Sequence, residues 1–413
     1  MRERLDNEKS GNESFVKRVF KEYYSKWYGE PPKNYNMREY AFIISRKGDM
    51  IRHKAFESWD EVREFLRKNV PLHGFYSSAY YLQPSAPDMD AKGWIGADLI
   101  FDIDVDHIHT PCKDVHDKWV CLDCGVVDKG MPPEVCHRCS SKRIEAKTWF
   151  CEKCLDVARE ETIKLVEDYL IQDFGFSPKE VSIVFSGRRG FHVHVESDIV
   201  KGLDQRARRE IVDYVKGVGL TLTSKKRKVL LPPLNAGGWH GRIAKGVYEL
   251  LNSCQVDDLI RLLGLKRGPQ IEENVREIIK RLEEGKRCST LSGMASKIWL
   301  KAVEKAIAYK RCEVDERVTT DIKRLIRLPG TLHGGTGLIV MRIGLKDVET
   351  FDPYTHAVAF KRDYVKVRVL NMPKITFLGQ EWGPYDNEVV EVPLGLAVYL
   401  ICSDNAIVID EVL

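Results

Sequence analysis

Three aspartates occupy alternate positions in Phe101-Asp102-Ile103-Asp104-Val105-Asp106. Just upstream the chain reads Gly-Ala-Asp-Leu-Ile, so Leu99, Phe101, Ile103 and Val105 alternate with Ile100, Asp102, Asp104 and Asp106. Period-two alternation marks a β-strand with two unlike faces. One face is hydrocarbon and the other ends in carboxylates, which repel one another unless a cation sits among them. Same-face side chains on a strand stand about 7 Å apart. Two carboxylates so placed can share a pair of divalent ions, Mg²⁺ or Mn²⁺, about 3.5–4 Å apart. Such a pair activates an attacking hydroxyl and neutralises a leaving pyrophosphate. The plainer reading is a strand end turned to solvent.

Two basic loops could supply the other half of that chemistry. In "SGRRGFHVHV", glycines let the backbone come close to a ligand, and Arg188 and Arg189 carry forked donors suited to phosphate. Ser186, His192 and His194 accompany them, the two histidines on one strand face. In "RLPGTLHGGTG", Arg327 ends a basic helical turn and His333 sits in a glycine-rich turn, a second phosphate cradle. Taken singly, these are a hairpin with exposed arginines and a surface histidine. Together with the acidic strand they match what nucleoside triphosphate chemistry requires, metals on one side and cations for the phosphates on the other.

Seven of the eleven cysteines lie between Cys112 and Cys154. They form three Cys-x-x-Cys pairs, Cys121/Cys124, Cys136/Cys139 and Cys151/Cys154, preceded by Cys112 and His116. A Cys-x-x-Cys turn aims two thiolates at one tetrahedral ion, so eight ligands suffice for two Zn²⁺ sites. Cys121, Cys124, Cys136 and Cys139 have the spacing of a zinc ribbon. Cys112, His116, Cys151 and Cys154 would then close a second site around its base. Four-ligand sites are structural, so no chemistry is expected at zinc. The rival, a disulfide array, conflicts with an intracellular setting.

The elements that position these residues follow from periodicity. Residues ~15–30 read as a helix ended by Gly29 and the prolines after it. "REYAFIIS" and "DMIRHKAF" read as strands joined by a Lys-Gly turn, and "SWDEVREFLRKN" as a Ser-capped helix. "LDVAREETIKLVEDYLIQDFG" is an amphipathic helix ended at Gly175, and "VSIVFSGRRGFHVHV" gives two strands about a loop. Residues ~200–310 are helical and charged, broken by "SKKRKVLLPPLNAGGWHG", in which we decode no motif. "TDIKRLIRL" reads as a short helix, and "LIVMRI" as a strand. Strands interleaved with helices predict an α/β or α+β core with insertions.

Bulk properties exclude little. The 413 residues suffice for two or three domains, or one with insertions. Net charge is only +4, which neither demands nor excludes a nucleic-acid partner. The charged N-terminus has no apolar core of a signal peptide. The longest apolar run, Val392 to Cys402, is too short to span a bilayer and reads as a buried strand. A cytoplasmic chain with no membrane contact is expected.

Taken in order, "GWIGADLIFDID", the cysteine knuckle, "SGRRGFH" and "DERVTTDIKRLIRLPGTLHGGTG" resemble the catalytic small subunit of the archaeal and eukaryotic-type DNA primase. The similarity runs from Arg38–Phe42 through "YSSAYY" to Phe351–Val358, most of the chain. The resemblance implies a core related to RNA-recognition folds, a helical subdomain and a zinc element. It implies templated synthesis of short RNA primers from nucleoside triphosphates on single-stranded DNA, a large primase subunit as partner, and a place in the replication machinery. Asp102 and Asp104 match the metal-binding pair, and Asp315 the third carboxylate, with Asp321 ranked below it and Asp106 an extra. Ser186, Arg188, Arg189 and His192 match the nucleotide-binding loop. Arg327 and His333 match the residues that hold the triphosphate. Cys112, His116, Cys151 and Cys154 match the family's single knuckle, leaving Cys121–Cys139 as an inserted ribbon. Where many members have a lysine, Gly335 stands here, so another cation must serve.

With the resemblance, residues 1–108, 156–200 and 311–371 form the catalytic core. Residues 109–155 are the zinc insertion and 201–310 the helical subdomain. Residues 372–413 are an extension ending "AIVIDEVL", an added strand pair or a docking segment. Two rival functions remain open: a non-catalytic zinc-ribbon nucleic-acid-binding protein, which leaves the aspartates idle, and a metal-dependent phosphohydrolase or nuclease, which leaves the two loops idle.

Overall fold

A computed structural model describes all of the chain except Met1, His109, residues 221–228, residues 286–288, Ser292 and residues 410–413. The basic end of the "SKKRKVLL" stretch and the last four residues of the tail therefore lie outside the described residues. The chain divides into two compact units. One comprises 1–166, 176–208 and 314–413; the other comprises 167–175 and 209–313.

The larger unit carries two four-stranded antiparallel sheets. The first has the order Leu325–Arg327, His73–Ser77, Tyr40–Ile43, Met50–Lys54. The second has the order Met341–Ile343, Val181–Phe185, Gly190–Val195, Leu99–Asp104. The acidic strand is therefore an edge strand. Leu99, Phe101 and Ile103 are fully buried on its apolar face. Asp98, just before it, is also fully buried. Arg38 Nη2 donates to Asp98 Oδ2 at 2.6 Å, and Tyr80 Oη donates to Oδ1 at 2.6 Å. Arg38 Nη1 reaches Ser77 O at 2.7 Å, which joins the first sheet to the root of the acidic strand.

Local signals set most elements. Ser58 caps the helix Trp59–Asn69, accepting from Glu61 N at 3.3 Å. The helix Glu152–Lys164 runs on as a π-helical turn, Leu165–Ile171, and the chain turns at Gly175 with φ +72°. The N-terminal helix, Arg2–Ser25, starts earlier and ends sooner than its apolar pattern suggests. It is held by Asn12, which donates to Ala406 O and accepts from Val408 N, both at 3.0 Å.

Three readings are corrected. Val392–Cys402 is not a strand: Tyr385–Pro393 is a strand, and Leu394–Cys402 is a helix buried all round. Complete burial erases the polar stripe that distinguishes the two. "TDIKRLIRL" is not a helix. The helix is Glu316–Thr320; the Asp321 carboxylate then turns the chain by accepting from Lys323 N at 2.9 Å. Leu325–Arg327 is a strand paired with Phe75–Ser77, so Arg327 projects from a sheet and not from a helical turn. Third, the acidic strand stops at Asp104, whose Oδ1 accepts from Asp106 N at 2.8 Å and opens the 3₁₀ turn Val105–His107. The tail adds Tyr385–Pro393 and Ala406–Val408 on either side of Tyr364–Met372.

The smaller unit is helical. Gly293–Lys310 packs on Gly238–Ser253 and Ile271–Glu284 around the buried Trp299. Asp173 accepts from Tyr214 Oη at 2.8 Å and is also bonded by Arg242. Among the described residues, no helix is long and apolar enough to cross a membrane.

Replacing Arg38 with Met strands the Asp98 carboxylate without its charge partner. The expected cost is about 3–5 kcal/mol, read as a lower urea midpoint.

Candidate active site and metal centres

The acidic strand and the histidine strand are paired residue for residue, with His192 opposite Asp102 and Gly190 opposite Asp104. The approach at Gly190 is close: a Cβ there would stand 2.0 Å from Ile103 O. Only glycine permits this register. His192 Nε2 lies 3.6 Å from Asp102 Oδ1. Along the strand's free edge, Asp315 N donates to Asp102 O at 2.9 Å. Asp315 itself caps the Glu316–Thr320 helix, accepting from Arg317 N at 2.8 Å.

The two glycine loops meet. Thr336 Oγ1 donates to Gly187 O at 2.5 Å, and a Cβ at Gly187 would stand 2.7 Å from His333 Cβ. Arg327 spreads its fork over two imidazoles, with Nη1 2.6 Å from His73 Nδ1 and Nη2 3.1 Å from His333 Nε2. A guanidinium only donates, so both ring nitrogens must accept.

The electrostatics agree. Burial, then Arg327, push His73 and His192 down to about 3. Burial and Arg327 likewise hold His333 well below its ordinary value. Burial and Arg188 lower Arg327 to about 10, against the pull of Asp102 and Asp104, so it stays charged at neutral pH. Burial, then Asp106 and Asp102, raise the Asp104 carboxyl, the signature of crowded acids that a cation would relieve. Fixed positive charge thus lies within electrostatic reach of the carboxylates, among neutral histidines.

The cysteines fall into two groups. Cys112, His116, Cys151 and Cys154 bring their ligand atoms within 4.8 Å of one another, as do Cys121, Cys124, Cys136 and Cys139. Ligands about 2.3 Å from a tetrahedral ion stand about 3.8 Å apart. The observed separations are 3.6 Å for Cys112–Cys154, 3.8 Å for Cys151–Cys154, 3.5 Å for Cys121–Cys139 and 3.7 Å for Cys124–Cys136. These are too long for disulfides and suit a shared ion. His116 gives Nδ1 to Asp117 Oδ1 at 2.7 Å, leaving Nε2 toward Cys154 at 3.5 Å. That carboxylate–histidine pairing is usual behind a metal ligand. Both groups could hold zinc. The carboxylates of Asp102, Asp104 and Asp315 do not gather within that same distance; among the described residues only the two cysteine-rich groups do.

The DNA primase small subunit family model matches residues 138–345. The DNA primase small subunit PriS of Methanocella arvoryzae is 32% identical over 430 residues, covering 95% of this chain and 98% of that protein. That of Methanothrix thermoacetophila is 31% identical, covering 96% and 99%. That of Pyrobaculum aerophilum is 34% identical over 365 residues, covering 88% and 89%. This chain belongs to the DNA primase small subunit family.

In this primase subunit the residues singled out from sequence divide by position. His192 lies against Asp102 and Arg327 against His333, while Asp315 meets Asp102 through its backbone N, its carboxylate capping its own helix. Arg188 is exposed, with Nη2 3.1 Å from Thr148 Oγ1 and N 3.4 Å from Ser186 Oγ. Arg189 is instead buried, its Nη1 donating to Asp106 Oδ1 at 2.5 Å. Asp321 lies away, within electrostatic reach of Tyr81 and Arg208. The sequence reading missed His73, whose partner Arg327 is 254 residues away. It also missed Asp117, whose one available signal was its place beside a candidate ligand histidine.

Unfolded, His73 takes a proton near pH 6.5; folded, it resists down to about 3. Between those values the unfolded chain binds more protons. Stability is therefore full above pH 6.5 and falls as pH drops below it. Urea midpoints at pH 7.5, 6.0 and 5.0 should fall less steeply for His73→Gln than for the native chain.

Proposed function

We propose that this chain is a template-directed nucleotidyltransferase that makes short RNA primers on single-stranded DNA. The observation that carries the reading is the juxtaposition of the Asp102/Asp104 strand with the Arg327 fork. Asp102, Asp104 and Asp315 are the ligands we assign to Mg²⁺ or Mn²⁺. When bound, these ions lower the pKa of the attacking 3′-hydroxyl and neutralise the departing pyrophosphate.

The chain's own residues do the rest. Arg327 is a fixed cation for the triphosphate. Its two imidazole neighbours accept its hydrogen bonds without adding charge, so its geometry is set before the ligand arrives. Arg188, exposed on the neighbouring loop, supplies the second cation, the one we assign in place of the lysine absent at Gly335. Gly187 lets that loop lie against His333, and Ser186 shapes it through Arg188 N. His192, buried and neutral, faces Asp102 and backs the carboxylate. The two zinc centres are structural. A large primase subunit is the expected partner, and the cytoplasm, where thiols stay reduced, the expected compartment.

The test is incubation with single-stranded DNA, Mn²⁺ and labelled ribonucleotides, with and without a pre-annealed primer. Asp102→Ala and Asp104→Ala should lose incorporation by at least about 10³-fold while remaining folded. Arg327→Ala should mainly raise the nucleotide KM. Incorporation retained by Asp102→Ala would sink the assignment. Degradation of single strands without added nucleotides would point to a nuclease.

A further inference from the structure

The acidic strand and the outer thiolate group share a residue. Arg189 is only 2% exposed. Its Nη1 donates to Asp106 Oδ1 at 2.5 Å, two residues beyond Asp104. Its Nη2 lies 3.6 Å from Asp117 Oδ2 and 3.9 Å from Cys154 Sγ. Its carbonyl accepts from Val105 N at 3.3 Å. Asp117 also accepts from His116 Nδ1 and, at 2.9 Å, from Trp149 N. One guanidinium therefore touches the turn that follows the acidic strand, a ligand of the outer centre and the carboxylate behind a second ligand. Its chain neighbours complete the bridge: Gly190 is in register with Asp104, and Arg188 rests on Thr148 of the same insertion.

A phosphate-binding role for Arg189 fits poorly. Both terminal nitrogens face anionic groups, and the remaining Nε, though without a partner, is itself buried. A phosphate would have to replace two carboxylates and a thiolate that are already in place.

We propose that Arg189 is a positioning residue that ties the carboxylate strand to the outer Cys112/His116/Cys151/Cys154 centre, so that metal in that centre holds Arg188 and Asp104 where nucleotide meets them. The proposal rests on the nucleotidyl-transfer reading. Three thiolates around a divalent ion leave an anionic cluster, and the buried Arg189 offsets that charge from one side while holding Asp106 from the other. Losing the metal removes the anchor on one side of this bridge, and the strict contact at Gly190 leaves the loop no slack to absorb the change.

The experiment uses the full zinc-loaded chain, with Arg189→Met, Arg189→Lys and Asp106→Asn. It measures zinc release to a coloured chelator and the equilibrium Kd for Mg-ATP. Arg189→Met should release one of two zinc ions about tenfold faster and raise the Kd about tenfold. Asp106→Asn should raise the Kd similarly with native zinc release. Arg189→Lys, able to meet Asp106 alone, breaks the tie on its outer side and should recover neither zinc retention nor ATP affinity; full recovery of ATP affinity with zinc retention still lost would overturn the proposal. Native zinc release in Arg189→Met, with weakened ATP binding and a harmless Asp106→Asn, would make Arg189 a phosphate ligand and overturn the proposal. Native values throughout would also overturn it.

Should Arg189→Met fail to fold, the native chain and Asp106→Asn still decide. Stripping zinc, then desalting and restoring Mg²⁺, should weaken ATP binding in the native chain and add nothing in Asp106→Asn; full additivity would overturn the link. Zinc release does not depend on polymerisation. Failure of the native chain to incorporate nucleotides would therefore count against the functional reading and leave the link separately judged.

Discussion

The register between Gly190–Val195 and Leu99–Asp104 is the constraint on which the site depends. A strand slipped by one residue turns every side chain to the other face. Here that would bury the carboxylates and expose Leu99, Phe101 and Ile103. Gly190, lying against Ile103 O where no Cβ fits, admits its strand at that one position. Antiparallel pairing then sets His192 across from Asp102 and brings the preceding loop to the strand's acidic end. Since Gly187 and Gly190 bound the two arginines, the same register fixes where the cations stand relative to the acids. The free edge is used as well, since Asp315 N bonds there to Asp102 O.

Charge in the site is arranged so that it does not cancel itself. Asp104 is buried and crowded by Asp106 and Asp102, and its acidity is weakened accordingly. The nearest buried imidazoles could relieve this by taking protons, yet burial and Arg327 forbid it. A protonated His192 would hold Asp102 as an ion pair and compete with a metal ion for it. Kept neutral, it leaves the carboxylate's charge for a ligand. Behind the strand, Arg38 and Asp98 neutralise each other fully buried, so no unpaired charge from that pair reaches the site.

How much of this was legible in sequence depends on how local each signal is. The Ser58 cap and the hairpin around Arg188 are set by near neighbours in the chain and appear as read, and the acidic strand does so as far as Asp104, whose own carboxylate then turns the chain. The nested thiolate groups were legible because ligand spacing is itself local. What was not legible was decided at long range. Leu325–Arg327 becomes a strand because His73–Ser77 offers it a partner. Leu394–Cys402 becomes a helix in a setting so apolar that no periodicity survives. His73 had no signal at all, since its role is conferred by an arginine from the far end of the chain. Arg189 shows the limit of a motif: its place beside Arg188 suggests a shared task, while its burial and its partners assign it a different one.

The two cysteine-rich groups differ in what surrounds them. The inner one sits in a small three-stranded ribbon, Val127–Lys129, Lys118–Cys121 and Ile144–Lys147, whose buried core is little more than Trp119, Cys121 and Cys136. So small a core cannot hold a fold without a staple, so a metal there is the ribbon's own stability. The outer group is continuous with the larger core. Cys151 is the N-cap, and Cys154 lies in the first turn, of a helix that packs against the acidic and histidine strands, and Lys113 Nζ donates to Ile108 O at 2.7 Å and to Val105 O. The outer group's ligands are therefore immediate neighbours of the residues that shape the exit from the acidic strand, Lys113 following Cys112 and Arg189 lying against Cys154. Ligand spacing alone makes the two groups look alike; the buried charges around them set the outer one apart as part of the architecture of the site.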